Sequence, residues 1–275
     1  MCRSAIWKDS LVSRPPLTGV RVLDFTTLLP GAVCTQFLAD LGADVIKIES
    51  PGHGDAARGP KGTPPGGIFH VTNRNKKSCV VDLKSVDGLA RVKALIAEAQ
   101  VLVEGFRPGV MTRLGLGWNE ARSINPALVY CSITGYGQVG PLADKAGHDI
   151  NYQCYGGGGG PKAALASADG ILAALFDVQR TGEGRHIDVS MADAAMALNV
   201  TALSSKMMFG GHDPVPGRDI LSGGLPCYMT YRTVDGRYLS VGALEPKFWQ
   251  AFCVAIERPD LIARGWDTGP KREQS

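Results

Sequence analysis

The residues best suited to chemistry form the segment 147–152, Gly-His-Asp-Ile-Asn-Tyr. An imidazole ionises near neutral pH, so His148 could take up or release a proton there. The segment follows a glycine-rich stretch, residues 135–141, whose composition predicts a polar loop. By residue type alone, a His-Asp pair in such a loop is more often an ordinary hydrogen-bonding pair than a catalytic one. The interpretation of His148 as a catalytic base therefore depends on the rest of the chain.

Two groups of basic residues could contact a small polyanion. Arg74, Lys76 and Lys77 stand just before a β-branched run, where they could bind a phosphate. Arg107 follows another β-branched run within Phe-Arg-Pro-Gly, residues 106–109, and open α/β sheets bind ligands where strands end. The alternatives are a solvated surface cluster for the first group and a helix-capping loop arginine for the second.

The composition is that of a globular protein without a membrane span. Of the 275 residues, 44% are hydrophobic and 20% are charged, and the net charge of +3 is too small to indicate nucleic-acid binding. Seven cysteines without a Cys-x-x-Cys motif are typical of reduced thiols in an intracellular protein. We predict a cytoplasmic location, with a mitochondrial or peroxisomal location as the alternatives.

The order of the predicted elements is that of an α/β protein. A strand at Val20–Phe25, a helix at Ala32–Leu41 and a strand at Asp44–Glu49 form a unit that implies a parallel strand pair with a right-handed crossover. Its first turn lacks G-x-G-x-x-G, so no dinucleotide is inferred. Residues 50–67, rich in glycine and proline, are predicted to form a long surface loop. Further strands are predicted at Ser78–Leu83, Val101–Glu104, Ala127–Ile133 and His186–Ser190, and further helices at Val86–Ala97, Ile171–Thr181 and Met191–Phe209.

The last part of the chain has a different pattern. Two alternating runs, residues 227–233 and 237–242, flank Val-Asp-Gly and predict a β-hairpin, which a helix at Glu245–Ile256 follows. We therefore predict a Rossmann-like open parallel sheet with helices on both faces, plus an incomplete smaller α+β domain. The expected divisions are a loose tail at 1–16, a large domain at 17–209, a linker at 210–224 and a partial small domain at 225–275.

Several motifs in this order resemble the family III CoA-transferases, the CaiB/BaiF family. They are residues 17–24, Leu-Thr-Gly-Val-Arg-Val-Leu-Asp; 38–43, Leu-Ala-Asp-Leu-Gly-Ala; 73–78, Asn-Arg-Asn-Lys-Lys-Ser; 106–109; and 182–184, Gly-Glu-Gly. Within that family, residues 147–152 and 241–246 resemble the α-methylacyl-CoA racemases. The resemblance covers nearly all of residues 16–250. It implies an acyl-CoA substrate, an interlocked homodimer, no metal and no cofactor beyond the CoA moiety of the substrate.

The resemblance also implies roles for particular residues. His148 matches the family's histidine base, which removes the proton α to the thioester and leaves an enolate. Glu245 matches the small-domain glutamate that orients this histidine, supplied across the dimer interface. Without the resemblance, Glu245 is better interpreted as a carboxylate that a helix N-terminus favours.

CoA contacts are implied in the same way. Arg107 and the cluster of Arg74, Lys76 and Lys77 match groups that meet the CoA phosphates. The stretch that matches the adenosine border is Val81, Asp82, Leu83 and Lys84. The stretch around the thioester matches Ala146, Gly147, Asp149, Ile150 and Asn151. Ser50 stands where some family members have an arginine after the second strand.

Two departures from the family pattern bear on activity. The family has an aspartate just before a glycine run, which is the second acid/base in racemases and the nucleophile in transferases. Here residues 153–155 are Gln-Cys-Tyr before the glycines 156–160, and the nearest carboxylate is Asp169. The chain also lacks the family's return to the large domain, as expected of a truncated product, a splice form or an imperfect gene model.

Three functions are therefore compatible with the sequence. The first is a racemase or epimerase that interconverts (R)- and (S)-2-methylacyl-CoA thioesters. The second is a family III CoA-transferase, whose chemistry needs a carboxylate nucleophile. The third is a catalytically impaired, CoA-binding remnant.

Overall fold

The computed structural model describes residues 14–60, 66–156, 161–208, 215 and 217–269. Most of the predicted tail, residues 1–13, lies outside this range, as do residues 210–214 and 216 of the predicted linker. The chain divides into two compact units, Met1–Leu198 and Asn199–Ser275. The boundary between the units comes before the predicted end of the large domain at residue 209.

The first unit is built on a six-stranded, fully parallel sheet. Its strands are β1 (Arg21–Phe25), β2 (Asp44–Glu49), β3 (Lys76–Val80), β4 (Val101–Glu104), β5 (Val129–Thr134) and β6 (Arg185–Ser190). Their order, β3-β2-β1-β4-β5-β6, is the doubly wound order of a Rossmann-like fold, with the switch point between β1 and β4. Every residue of β4 and β5 is buried, because helices cover both faces of the sheet.

Eight helices of this unit are described: α1 (Leu29–Asp40), α2 (Gly67–Thr72), α3 (Val86–Glu98), α4 (Val110–Arg113), α5 (Trp118–Ile124), α6 (Asp149–Gly156), α7 (Pro161–Thr181) and α8 (Met191–Ala197). Leu38 of α1 and Ile171 of α7 pack with Val22 and Val103 on one face of the sheet. On the other face, α3, α4 and α5 pack against a second core that includes Leu102. The predicted parallel α/β sheet with helices on both faces is confirmed.

The second unit contains an antiparallel hairpin and a helix. Its described elements are α9 (Val200–Met208), β7 (Tyr228–Arg232), β8 (Tyr238–Gly242) and α10 (Pro246–Ala255), with short 3-10 turns at Ile220–Ser222 and Pro259–Arg264. Cys227, Val241, Trp249 and Cys253 form the centre of its small core. No helix of the described residues is both long and apolar enough to cross a membrane.

Four predicted elements differ from the structure. The strand predicted at Ser78–Leu83 is β3 at Lys76–Val80, and residues 81–83 belong to the turn after it. The helix predicted at Met191–Phe209 is two helices, α8 and α9, that end and begin around Asn199. The spacing of apolar residues does not reveal this break. The break itself is consistent with the weak helix propensity of asparagine and valine. Helix α7 begins at Pro161, ten residues before Ile171. The predicted surface loop 50–67 holds a short helical turn at Ala56–Arg58 and the buried side chain of Asp55.

Candidate functional site

A cavity of about 310 Å³ opens at the carboxyl ends of β1 to β4. The side chains around its interior are mostly apolar: Phe25, Ile48, Val81, Leu83, Phe106, Val110 and Leu114. Polar and charged residues also line it: Thr26, Thr27, Lys47, Glu49, Ser50, Asp55, Asp82 and Lys84. An apolar cavity with polar margins beside the switch point of an open sheet is the usual place for a nucleotide.

The stretch 81–84 is a turn that follows β3 and forms one wall of this cavity. The N–H of Val81 donates to the carbonyl of Glu49 (2.9 Å), and the carboxylate of Asp82 accepts from the N–H of Lys84 (2.9 Å). The first turn of helix α3 packs closely against residues 81–84. A Cβ added at Gly88 would lie only 2.0 Å from the Asp82 carbonyl oxygen, so glycine is needed there. The four residues predicted to border an adenosine therefore line one apolar cavity.

The segment after β4 faces two cavities. Phe106 lines the apolar cavity, whereas Arg107 lines a neighbouring polar cavity of about 250 Å³. The buried carboxylate of Glu104 accepts from the Phe106 N–H (2.8 Å) and fixes the start of this turn. Burial raises the pKa of Glu104, although hydrogen bonds from Ser132 and the Phe106 N–H oppose the shift.

Arg107 is exposed, and its guanidinium forms no ion pair with any residue that the structure describes. Burial raises the pKa of the Tyr152 hydroxyl, while the positive charge of Arg107 acts in the opposite direction. The structure thus brings Arg107 within electrostatic range of Tyr152, in the segment that carries His148. A cation at the carboxyl edge of the sheet that has no counter-ion among the described residues is available to a phosphate or another anion.

The basic cluster before β3 lies at the opposite, amino-terminal edge of the sheet. Lys76 and Lys77 pair in register with Val45 and Ile46, near the start of β2. Arg74 forms an ion pair with Asp40, and Lys77 Nζ lies 2.5 Å from Asp44 Oδ1. The prediction that Arg74, Lys76 and Lys77 meet the CoA phosphates is therefore revised. The parallel strands separate these residues from the cavity, and acidic neighbours already neutralise their charges.

Lys76 belongs to a buried network of charges that the sequence analysis missed. Its Nζ lies 3.1 Å from Asp24 Oδ2, and Lys47 Nζ lies 2.9 Å from Asp55 Oδ2, with all four side chains closed to solvent. Burial raises the pKa of Asp24, but Lys76, Lys47 and two threonine hydroxyls outweigh it, so the pKa is lowered. The sequence carried one signal of this network: Asp24 and Lys47 are opposite charges that each lie between two apolar residues, and they are register partners in β1 and β2.

A second ionic contact holds the loop after β2. Arg58 donates two hydrogen bonds to Glu49, both of 2.7 Å, and its guanidinium lies 3.8 Å from the centre of the Phe69 ring. Burial raises the pKa of Glu49, but the hydrogen bonds from Arg58, Ser78 and the Asp55 N–H prevail and lower it to about 2. The loop therefore forms a fixed margin of the cavity.

The His148 segment forms the first turn of α6. The His148 carbonyl accepts from the N–H of Asn151 (2.9 Å), and the His148 N–H donates to the Asn151 side chain (2.9 Å). The Tyr152 hydroxyl donates to the Gly147 carbonyl (2.6 Å). Side chains of the segment 147–152 thus hold the backbone of that segment, while the imidazole of His148 is exposed. Ala146, Asp149 and Ile150 are exposed beside it.

Glu245 stands at the N-cap position of α10 in the second unit, and its side chain is exposed. Its carbonyl accepts from the N–H groups of Phe248 (2.9 Å) and Trp249 (3.2 Å). This position is favourable for a carboxylate because of the helix dipole. The pairing of Glu245 with His148 stays a prediction.

The segment where the family has its aspartate is only partly described. Gln153, Cys154 and Tyr155 belong to α6, and glycines 157–160 lie outside the described residues. Asp169 is exposed on α7. Among the residues described, no cluster of histidine, cysteine, aspartate and glutamate is suited to hold a metal ion.

The fold and the cavity define an α/β protein that binds its ligand at the carboxyl edge of a doubly wound sheet. The family model for CoA-transferase family III matches residues 17–160 and 161–274. The chain therefore belongs to CoA-transferase family III.

Its relatives include enzymes named as racemases and enzymes named as CoA-transferases. The human α-methylacyl-CoA racemase is 36% identical over 254 residues, which cover 85% of this chain and 63% of the racemase. The succinate–glutarate CoA-transferase of Agrobacterium fabrum is 38% identical over 229 residues, which cover 74% of this chain and 57% of the transferase. The chain thus spans less than two thirds of the length of either relative.

The fold is also found among solved structures. The crystal structure of a CaiB/BaiF family protein from Brucella suis superposes with a TM-score of 0.77 at 31% identity, covering 94% of this chain and 74% of that protein. Homologues of this chain are thus enzymes of one family that includes both racemases and CoA-transferases.

Proposed function

We propose that this chain binds acyl-CoA thioesters and catalyses proton exchange at the carbon α to the thioester, as a racemase or epimerase of (R)- and (S)-2-methylacyl-CoA. The observation that carries the proposal is the apolar cavity of about 310 Å³, in which residues 81–84 and Phe106 meet. Its apolar walls suit the flat adenine ring, and the polar margin suits the ribose and phosphates.

Arg107 supports the same ligand. It stands directly after Phe106 at the edge of the neighbouring polar cavity, exposed and without an ion pair among the described residues. A guanidinium in this position is suited to the phosphates that connect the adenosine to the pantetheine arm of CoA.

His148 supplies the chemistry in this proposal. The thioester carbonyl makes the α-proton acidic, the neutral imidazole accepts that proton, and the electron pair of the C–H bond enters the enolate. Return of the proton by the same imidazolium restores the original configuration. Inversion needs a second donor on the opposite face of the enolate, so exchange and inversion are separable outcomes.

A CoA-transferase is the alternative, and the names of the relatives favour it equally. Transferase chemistry needs a carboxylate that attacks the thioester and carries the acyl group. In this chain the residues between the 147–152 motif and Pro161 include no Asp or Glu. This absence is the observation that favours proton exchange over acyl transfer. A non-catalytic CoA-binding protein is the third candidate.

One experiment separates the three candidates. The purified chain is incubated with one enantiomer of a 2-methylacyl-CoA in heavy water, and α-deuteration and inversion are followed separately. Deuteration with inversion supports a racemase, and deuteration with retention supports a one-base enzyme. A parallel sample with free carboxylate acceptors tests for transfer of CoA. The proposal of proton exchange is wrong if CoA binds and no deuterium enters the substrate.

We also propose that the active form is a homodimer. The second unit exposes large apolar side chains on and after α10, including Phe248, Val254 and Trp266. Such surfaces are costly in water and are typical of interfaces. A monomeric mass by light scattering at micromolar concentration would contradict the dimer.

A further inference from the structure

The turn between β1 and α1 contains a strained residue. Leu28 has φ +60° and ψ −147°, a backbone conformation that residues with a side chain rarely adopt. Its side chain is 48% exposed, so burial of the leucine does not account for the conformation. A group elsewhere in the fold must hold this turn.

That group is the carboxylate of Asp55, which comes from the loop after β2. Its Oδ1 atom accepts from the N–H of Leu28 (3.2 Å) and from the N–H of Ala57 (2.8 Å). Its Oδ2 atom lies 2.9 Å from Lys47 Nζ, which in turn donates to the Thr26 carbonyl (2.7 Å). The pair Lys47 and Asp55 therefore holds the strained turn at two points, Thr26 and Leu28.

The same residues line the apolar cavity. Thr26 and Thr27 come from the strained turn, Lys47 from β2 and Asp55 from the loop, and all four border the space of about 310 Å³. Because Lys47 and Asp55 are closed to solvent, their contact is not screened by water. A change in the contact would shift the margin formed by residues 26–28.

We propose that Asp55 is a positioning residue of the nucleotide cavity, which acts with Lys47 to hold the Thr26–Leu28 turn in its strained, ligand-binding form. The inference rests on the proposed function, in which this cavity takes the adenosine end of CoA. Asp55 contributes to affinity by fixing the backbone of the turn before the ligand arrives.

A purely structural ion pair would give a different result. It would lower the stability of the fold without changing the affinity of the folded protein for CoA. A positioning role also predicts rescue, because glycine adopts the conformation of Leu28 without a side-chain penalty. Lys47 keeps Asp24 as a counter-ion at 3.8 Å, so Asp55→Ala does not leave the lysine without an acidic neighbour.

The experiment measures CoA affinity by calorimetry for the wild type, Asp55→Ala, and Asp55→Ala combined with Leu28→Gly. We expect Asp55→Ala to weaken CoA binding at least tenfold, and the added Leu28→Gly to recover threefold or more. Ser167→Ala is the control for loss of a buried hydrogen bond, since the Ser167 hydroxyl donates to the Ala163 carbonyl (2.7 Å) within α7 and lines neither the apolar nor the polar cavity. The control is expected to bind CoA like the wild type.

The inference is overturned if folded Asp55→Ala binds CoA with wild-type affinity, or if Leu28→Gly recovers nothing. Should Asp55→Ala fail to fold, amide hydrogen exchange of the wild type decides. The Leu28 N–H is expected to exchange at least tenfold more slowly than an unprotected amide. Unprotected exchange would show that Asp55 does not hold this turn. A wild type that does not bind CoA at all, yet protects the Leu28 N–H, contradicts the proposed function but still shows that Asp55 holds the Leu28 turn.

Discussion

The Nζ atom of Lys76 lies 3.1 Å from Oδ2 of Asp24, and both side chains are closed to solvent. Lys77, the next residue, is 72% exposed in its contact with Asp44. Two adjacent lysines, both expected to bind phosphate, thus have different structural roles. Lys76 is a counter-ion for a buried carboxylate, whereas Lys77 is a surface cation.

Substitution of these two lysines should separate the roles. Lys76→Met leaves Asp24 with one fewer buried positive charge and should lower the free energy of unfolding by about 3 kcal/mol. Lys77→Met should change it by less than about 1 kcal/mol, because exposed ion pairs contribute little. Urea denaturation of the two variants measures the difference. Equal losses would show that Lys76 is not a structural counter-ion.

Arg107→Ala should weaken CoA binding by about 1 to 3 kcal/mol, because a charge-assisted hydrogen bond to phosphate is lost. Arg74→Ala is the matched control, since Arg74 is paired with Asp40 at the opposite edge of the sheet. Calorimetric titration with CoA compares the two. If Arg74→Ala were the weaker binder, the revised position of the phosphates would be wrong.

His148→Ala should reduce α-deuteration of a 2-methylacyl-CoA by about 100-fold or more, as expected for loss of a general base. CoA affinity should change little, because the cavity of residues 25 to 114 does not include His148. His70→Ala, which removes another exposed imidazole, serves as the control and should exchange like the wild type. Parental exchange in His148→Ala would exclude this residue as the base.

The free energy of unfolding should depend on pH in the acid range because of Glu49. Its pKa is about 2 in the folded chain against an ordinary value of 4.5, so its contribution is present above about 4.5 and is lost as the pH falls toward 2. The size of the contribution is on the order of 3 kcal/mol. Glu49→Gln should therefore be least destabilising, relative to the wild type, at the acid end of this range.

Denaturation at several pH values between about 3 and 6 measures this effect. Glu98→Gln is the control, because Glu98 is 70% exposed in its contact with Arg21. The control should follow the wild type at every pH. A constant difference between Glu49→Gln and the wild type across the range would contradict the depressed pKa.

Local sequence patterns were sufficient to predict the sheet. The alternating and continuous apolar runs place β2 at Asp44–Glu49, as observed, and the strand-helix-strand order implies the parallel pairing. The turn at residues 81–84 was predicted as a ligand contact and lines the cavity. These features depend on residues that are close together in the sequence.

The remaining features depend on contacts between distant segments. Whether Lys76 points to solvent or toward Asp24 is decided by strand register across 52 residues, which composition does not reveal. The contact of Asp55 with Leu28 joins two loops that are 27 residues apart in the sequence. Patterns of charge could have indicated only the Asp24 and Lys47 pair, since each of these residues lies between two apolar residues of its strand.

All residues around the apolar cavity lie between positions 25 and 114, whereas His148 and Glu245 come later in the chain. On the proposed function, the residues that bind the CoA moiety common to all acyl-CoA substrates precede, in the sequence, the residues that meet the variable acyl group. Substitutions in the later segment could then change the reaction without altering the CoA-binding cavity, as expected of a family that contains both racemases and CoA-transferases.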